Sequence, residues 1–134
     1  MLIDSHAHLD LLKGNRDEVI ARAFAEGLSA VVTVGTDLNS SRKTIEIARS
    51  HADIYAVIGV HPHDAKMVTK DTLAEIGRLA GDPKVVAIGE TGLDYYRRLS
   101  PQDVQVRVFR QFLDLAAGLK LPIVIHDRDA HDQV

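Results

Sequence analysis

The 134-residue sequence contains no cysteine. Disulfides and thiolate metal sites are therefore excluded, and His, Asp and Glu are the strong metal ligands left to the chain. Strong charge of either sign is missing too. Charged residues make up 26% and the formal net charge is −3, which excludes a basic nucleic-acid coat and an acidic disordered tail. A nucleic-acid partner would have to be held locally. No segment approaches the ~18 apolar residues of a membrane span, and the opening MLIDSHAHLD lacks the basic and apolar regions of a signal peptide. The expectation is an unprocessed, soluble chain with no membrane partner, for which a cytoplasmic location fits. The 46% of hydrophobic residues suffices for one cored domain over residues 1–134.

Five short apolar, β-branched runs read as buried strands: Leu2 to Ser5, Ala30 to Val34, Tyr55 to Val60, Val85 to Gly89 and Pro122 to Ile125. Four amphipathic stretches lie between them, near Arg16 to Glu26, Ser40 to Ser50, Lys70 to Ala80 and Pro101 to Leu119. Asn15, three residues before Glu18, marks the first helix start, and Gly27 its end. Ser100-Pro101 ahead of Asp103 reads as a capping box with proline at the first helical position. The alternation predicts an α/β fold with a parallel sheet, whose working site lies at the C-terminal ends of the strands.

Polar residues gather at those ends. The first strand runs into His6 and His8, the second into Thr36 and Asp37, the third into His61-Pro62-His63, the fourth into Glu90 and Asp94, and the fifth into His126. Five of the seven histidines thus stand at strand exits, which points to convergence on one pocket. The two-residue period of an extended chain puts Asp4, His6 and His8 on one side, so two imidazoles can meet one ion, with Asp4 as a candidate acceptor orienting His6. A polar strand end is the competing reading of a lone His-x-His. Glu90 closes an apolar run, where a carboxylate needs a cation, a proton or a salt bridge, and no basic residue stands at the corresponding strand ends. His126 closes another such run; a satisfied core histidine is its plainer reading. A set of His6, His8, Glu90 and His126 suits zinc, manganese or nickel, with magnesium less natural beside three imidazoles. Thr36 and Asp37 read as cap and turn.

The blocks Asp4-Ser5-His6-Ala7-His8, Gly59-Val60-His61-Pro62-His63, Gly89-Glu90-Thr91-Gly92-Leu93-Asp94-Tyr95-Tyr96 and Pro122-Ile123-Val124-Ile125-His126 resemble, in order, the signature blocks of the TatD family of metal-dependent deoxyribonucleases. The resemblance implies a (β/α)₈ TIM-like barrel, of which these residues supply about the first five strands and four helices. It implies two divalent metal ions, with His6 and His8 on one, Glu90 bridging and catalytic, and His126 on the other. It further implies hydrolysis of phosphodiester bonds in DNA. His61, His63 and Asp94 are expected on the substrate side, and Tyr95, Tyr96, Arg97 and Arg98 as stacking and phosphate partners for single strands or 3′ ends. A His-Pro-His turn is an equal reading of His63, and core packing of one tyrosine an equal reading of that loop.

A closed barrel of this kind takes over ~200 residues. No residue here matches the family's later histidine and aspartate. His131 and Asp129 read instead as the start of a fifth helix. Five strands alone would leave apolar edges bare, so self-association of the chain is expected. Other amidohydrolase-like metal hydrolases and a metal-binding fragment without turnover are the alternative functions.

Overall fold

Each apolar run forms a strand and each amphipathic stretch a helix. The computed structural model describes residues 1–134. Strands β1 (Leu2–Ala7), β2 (Leu28–Val34), β3 (Ile54–Ile58), β4 (Val85–Asp94) and β5 (Ile123–Arg128) alternate with helices α1 (Arg16–Ala25), α2 (Leu38–Arg49), α3 (Lys70–Leu79) and α4 (Gln102–Leu119). Short 3-10 turns at Leu9–Leu11 and Pro62–Met67 follow β1 and β3. No helix is long and apolar enough to cross a membrane.

All neighbouring strands are parallel, in the order β1-β2-β3-β4-β5. Right-handed crossovers that always step the same way put every helix on the same face, which is the winding of a barrel. A doubly wound sheet reverses its order at a switch point. Helix and sheet side chains, among them Ile45, Ile58, Ile76, Ile88, Val108 and Phe112, form the main core on the helical side. A smaller cluster of Val34, Val57 and Ala87 packs separately. The flanking strands are far less covered: Leu2, Ile3 and Ile125 are exposed.

Local chemistry sets the helix starts. The Asn15 side chain accepts from the Glu18 backbone N–H and donates to the Glu18 carboxylate. Asp37 caps α2 in a box with Ser40, and Thr69 caps α3 in a box with Thr72. Gly27, at φ +103°, follows the end of α1.

Three local expectations are corrected. No side chain caps α4, because the Ser100 hydroxyl is drawn elsewhere: it donates to the His63 carbonyl and accepts from the Lys66 N–H. β4 does not stop at Gly89 but runs to Asp94, since β5 offers continued pairing from Thr91↔Ile125 to Asp94↔Arg128 beyond a register shift. His131 and Asp129 do not begin a helix; the Gln133 N–H bonds the Ala130 carbonyl in a turn.

At the N-terminal end of the sheet, the Lys84 ammonium donates to the carbonyls of His51, Ala52 and Ile54 at 2.7, 2.7 and 3.2 Å. Arg49 pairs with Asp82 beside it.

Phe112 has no exposed surface in the main core. Phe112→Ala is expected to cost about 3–5 kcal/mol in urea unfolding. A loss below about 1 kcal/mol would contradict its placement between α4 and the sheet.

Candidate metal centre

The C-terminal ends of the strands are laced together by the backbone. The N–H of Gly35 bonds Val57, that of Glu90 bonds Gly35, and that of His61 bonds Thr36. Glycine makes the final approach between β4 and β5 feasible. Gly89 has φ +141°, and a Cβ there would stand 2.5 Å from the Val124 carbonyl oxygen. A Cβ on Gly92, at φ +143°, would collide with the His126 carbonyl oxygen. Side chains therefore cannot be accommodated at these two positions, and their absence lets Glu90 and His126 meet.

The resulting cavity, about 370 Å³, is lined by His6, His8, Thr36, His61, His63, Asp64, Glu90 and His126, with no hydrophobic residue. Glu90 stands at its centre. Oε2 lies 3.3 Å from Nε2 of His6 and 3.9 Å from Nε2 of His8, while Oε1 lies 3.0 Å from Nδ1 of His126. Two groups of potential ligand atoms share this carboxylate: His6, His8 and Glu90, and His61, Glu90 and His126, with the atoms of each within 4.8 Å of one another.

Hydrogen bonds set the ring tautomers. His8 donates from Nδ1 to the Val34 carbonyl at 2.8 Å, so its Nε2 carries a bare lone pair toward Glu90. His61 accepts at Nδ1 from the His63 backbone N–H, so its proton is on Nε2, 3.0 Å from Nδ1 of His126. His126 donates from Nε2 to Oδ2 of Asp94 at 3.0 Å. Burial, reinforced by His126 and His63, lowers the His61 pKa to about 4, so this ring is neutral near pH 7. Burial alone would raise the Glu90 pKa; the surrounding imidazoles of His126, His61 and His6 overcome it and hold the carboxyl below its ordinary value.

An ionised carboxylate thus faces imidazole lone pairs with too few protons among them. This donor set fits a divalent cation. His8 and His126 each give their other N–H to an oxygen, the arrangement that ligating histidines require. Tetrahedral ligands at 2.0–2.1 Å from a zinc ion stand about 3.3 Å apart, and the separations here bracket that value. His61 falls within the second group but holds its proton toward the cavity, which makes it a hydrogen-bond donor there.

The remaining expected residues are placed as follows. Asp4 does not orient the His6 ring; its carboxylate instead accepts the His6 backbone N–H at 3.1 Å. His63 lines the cavity and donates from Nε2 to Asp94 at 2.8 Å. Asp94 is fully buried, away from the cavity surface, and accepts from His63, His126 and the Arg97 N–H. Burial opposes its ionisation, yet these three donors bring its pKa to about 2. Tyr95 donates to the Gln133 side chain, whereas Tyr96 is exposed under the Arg128 guanidinium, 4.1 Å from ring centroid to Cζ. Asp37 is a cap, as expected, but Thr36 lines the cavity.

Two supporting residues were not read from the sequence as belonging to the site. Gln105 accepts the Asp94 N–H at 2.8 Å and donates to the Asp94 and Ser100 carbonyls. The signal for it is a polar residue in register with Val108, Phe109 and Phe112 on the buried face of α4. Ser100 joins the 62–67 turn to the loop after β4 and carries no such signal.

The pKa values make the metal-free chain acid-sensitive. The His61 pKa is depressed in the folded state, so the unfolded chain takes up the proton first, and stability falls as pH drops from 6.5 to about 4. Melting temperature measured across that window is expected to fall less steeply in His61→Asn. Equal slopes in the two proteins would contradict the burial of this ring.

A family model described as TatD related DNase matches residues 3–134. An uncharacterized metal-dependent hydrolase, YabD of Bacillus subtilis, is 46% identical over all of this chain and 53% of its own length. The protein named 3′-5′ ssDNA/RNA exonuclease TatD of Salmonella typhimurium is 41% identical over 89% of this chain and 46% of its own. The crystal structure of the TatD homolog YJJV from Escherichia coli superposes with a TM-score of 0.88 at 28% identity, covering 97% of this chain and 52% of that one. The TatD family hydrolase of Entamoeba histolytica gives 0.84 at 30% identity, covering 97% and 50%. The chain spans about half the length of the relatives it matches, and its five strands and four helices are the corresponding part of their TIM-like barrel. With a family model matched from residue 3 to residue 134, the chain belongs to the TatD family of metal-dependent hydrolases.

Proposed function

We propose that this chain carries the metal-binding core of a phosphodiesterase that hydrolyses DNA by two-metal activation of water. The observation that carries the proposal is the position of Glu90, shared between two groups of ligand atoms at the ends of parallel strands. His6 and His8 would hold one divalent ion, His126 the other, and Glu90 both; zinc, manganese, nickel and magnesium are the candidates. Divalent ions held there would lower the pKa of a bound water and stabilise the charge on the attacking and leaving oxygens. The chain's own groups do the placing. The His61 N–H on Nε2 meets Nδ1 of His126 here and would be free for a phosphate oxygen with an ion on His126, and His63 stands at the same wall. Tyr96, stacked by Arg128, offers a platform for an unpaired base, beside Arg97 and Arg98 as phosphate partners. Relatives named as ssDNA/RNA exonucleases support single strands or 3′ ends as the substrate.

A second reading, hydrolysis of an amide, lactone or phosphotriester, would place a carboxylated lysine between the ions. No lysine lines the cavity, and the carboxylate shared by the two groups of ligand atoms is that of Glu90. A metal-binding unit without turnover is a third reading, which the same two groups of ligand atoms would serve.

With labelled single-stranded DNA and manganese or magnesium, cleavage by the 134-residue chain is expected to fall roughly 100-fold or more in Glu90→Gln, since even supporting groups at a metal site cost 10–100-fold. Cleavage unaffected by the substitution would sink the assignment. Metal binding by the chain without cleavage would select the third reading.

Self-association follows from the exposed apolar side chains of β1 and β5, Leu2, Ile3 and Ile125. Light scattering on the purified chain is expected to give a mass above 14.7 kDa. A cooperatively folding monomer would refute it.

A further inference from the structure

We infer that Asp94 is a positioning residue that fixes the proton of both His126 and His63 on Nε2, leaving Nδ1 of each ring as an acceptor. The inference rests on the metal-centre reading of Glu90 and His126 and assigns the group that prepares it.

One carboxylate oxygen, Oδ2, receives both rings, His63 at 2.8 Å and His126 at 3.0 Å. The other, Oδ1, accepts the Arg97 N–H at 2.7 Å. An ionised carboxylate only accepts, so each ring must present an N–H to it. Asp94 has little freedom to do otherwise. Its side chain has no exposed surface, and the Gln105 amide holds both its backbone N–H and its carbonyl. The consequence for His126 is that its lone pair sits on Nδ1, the nitrogen facing Glu90 at 3.0 Å. For His63 it is that the cavity wall acquires an acceptor beside the His61 donor.

The test begins with the metal-free chain. With ¹⁵N-histidine at about pH 8, long-range proton–nitrogen NMR is expected to find both rings neutral and protonated on Nε2. A neutral His126 or His63 protonated on Nδ1 would overturn the inference. In Asp94→Asn, with the amide oxygen kept on the Arg97 N–H, the NH2 takes the place of Oδ2 and donates to both rings, so both are expected to move their proton to Nδ1. His8, held by the Val34 carbonyl, is expected to keep its own. Zinc affinity, measured by competition with a chelator, is expected to weaken about 10–100-fold. Unchanged tautomers and affinity in the variant would also overturn the inference. Should Asp94→Asn not fold, the unsubstituted chain decides alone. Loss of the nuclease proposal would leave these tautomers standing, whereas wrong tautomers would sink Asp94 and leave cleavage by the chain untouched.

Discussion

A carboxylate confined among imidazole nitrogens, with too few protons to pair every lone pair, governs the architecture at the strand ends. Removing such a charge from water costs on the order of several kcal/mol unless a cation or good hydrogen bonds compensate. Around Glu90 stand imidazoles from β1, the segment after β3 and β5, and a cation among them would meet that cost. The neighbouring structure serves this convergence. Glycines admit β5 against β4, the Val34 carbonyl turns His8, and Asp94 turns His126.

The supporting layer is as specific as the ligand layer. Asp94 is gripped by Gln105 from α4, and Ser100 ties the 62–67 turn to the loop that follows β4. A polar network inside a core tolerates little error, because each unsatisfied member costs far more than each satisfied one gains. Gln105 illustrates the balance. It occupies a position that Val108 and Phe112 mark as core, and every polar atom of its amide is used.

Much of this was legible in the sequence because it is carried by periodicity. Apolar runs with helical stretches between them give the order of elements, and polar residues at the run ends give the cavity. The GETGLDYY and GVHPH blocks add the family. What escaped depends on long-range partners. The end of β4 moved from Gly89 to Asp94 because β5 continues the ladder, which no local propensity reports. Ser100 looked like a cap because its neighbours fit one, but the His63 carbonyl lay within reach. Asp4 shared a face with His6, yet a backbone N–H stood closer than the ring. Nor does any sequence pattern reveal which nitrogen of a histidine bears the proton. That is decided by carbonyls and carboxylates up to 32 residues away.

The opposite end of the sheet is organised around a different kind of cation. Lys84 sets its ammonium among three carbonyl oxygens at the base of the strands, an arrangement like the oxygen cage of a bound alkali ion. Because this positive charge is tethered, its presence does not vary with the ionic composition of the medium. The two ends of the sheet thereby divide their dependence on the surroundings: the base carries its own cation, while the rim offers the donor set for one. Chelation would act on the rim and leave the base intact.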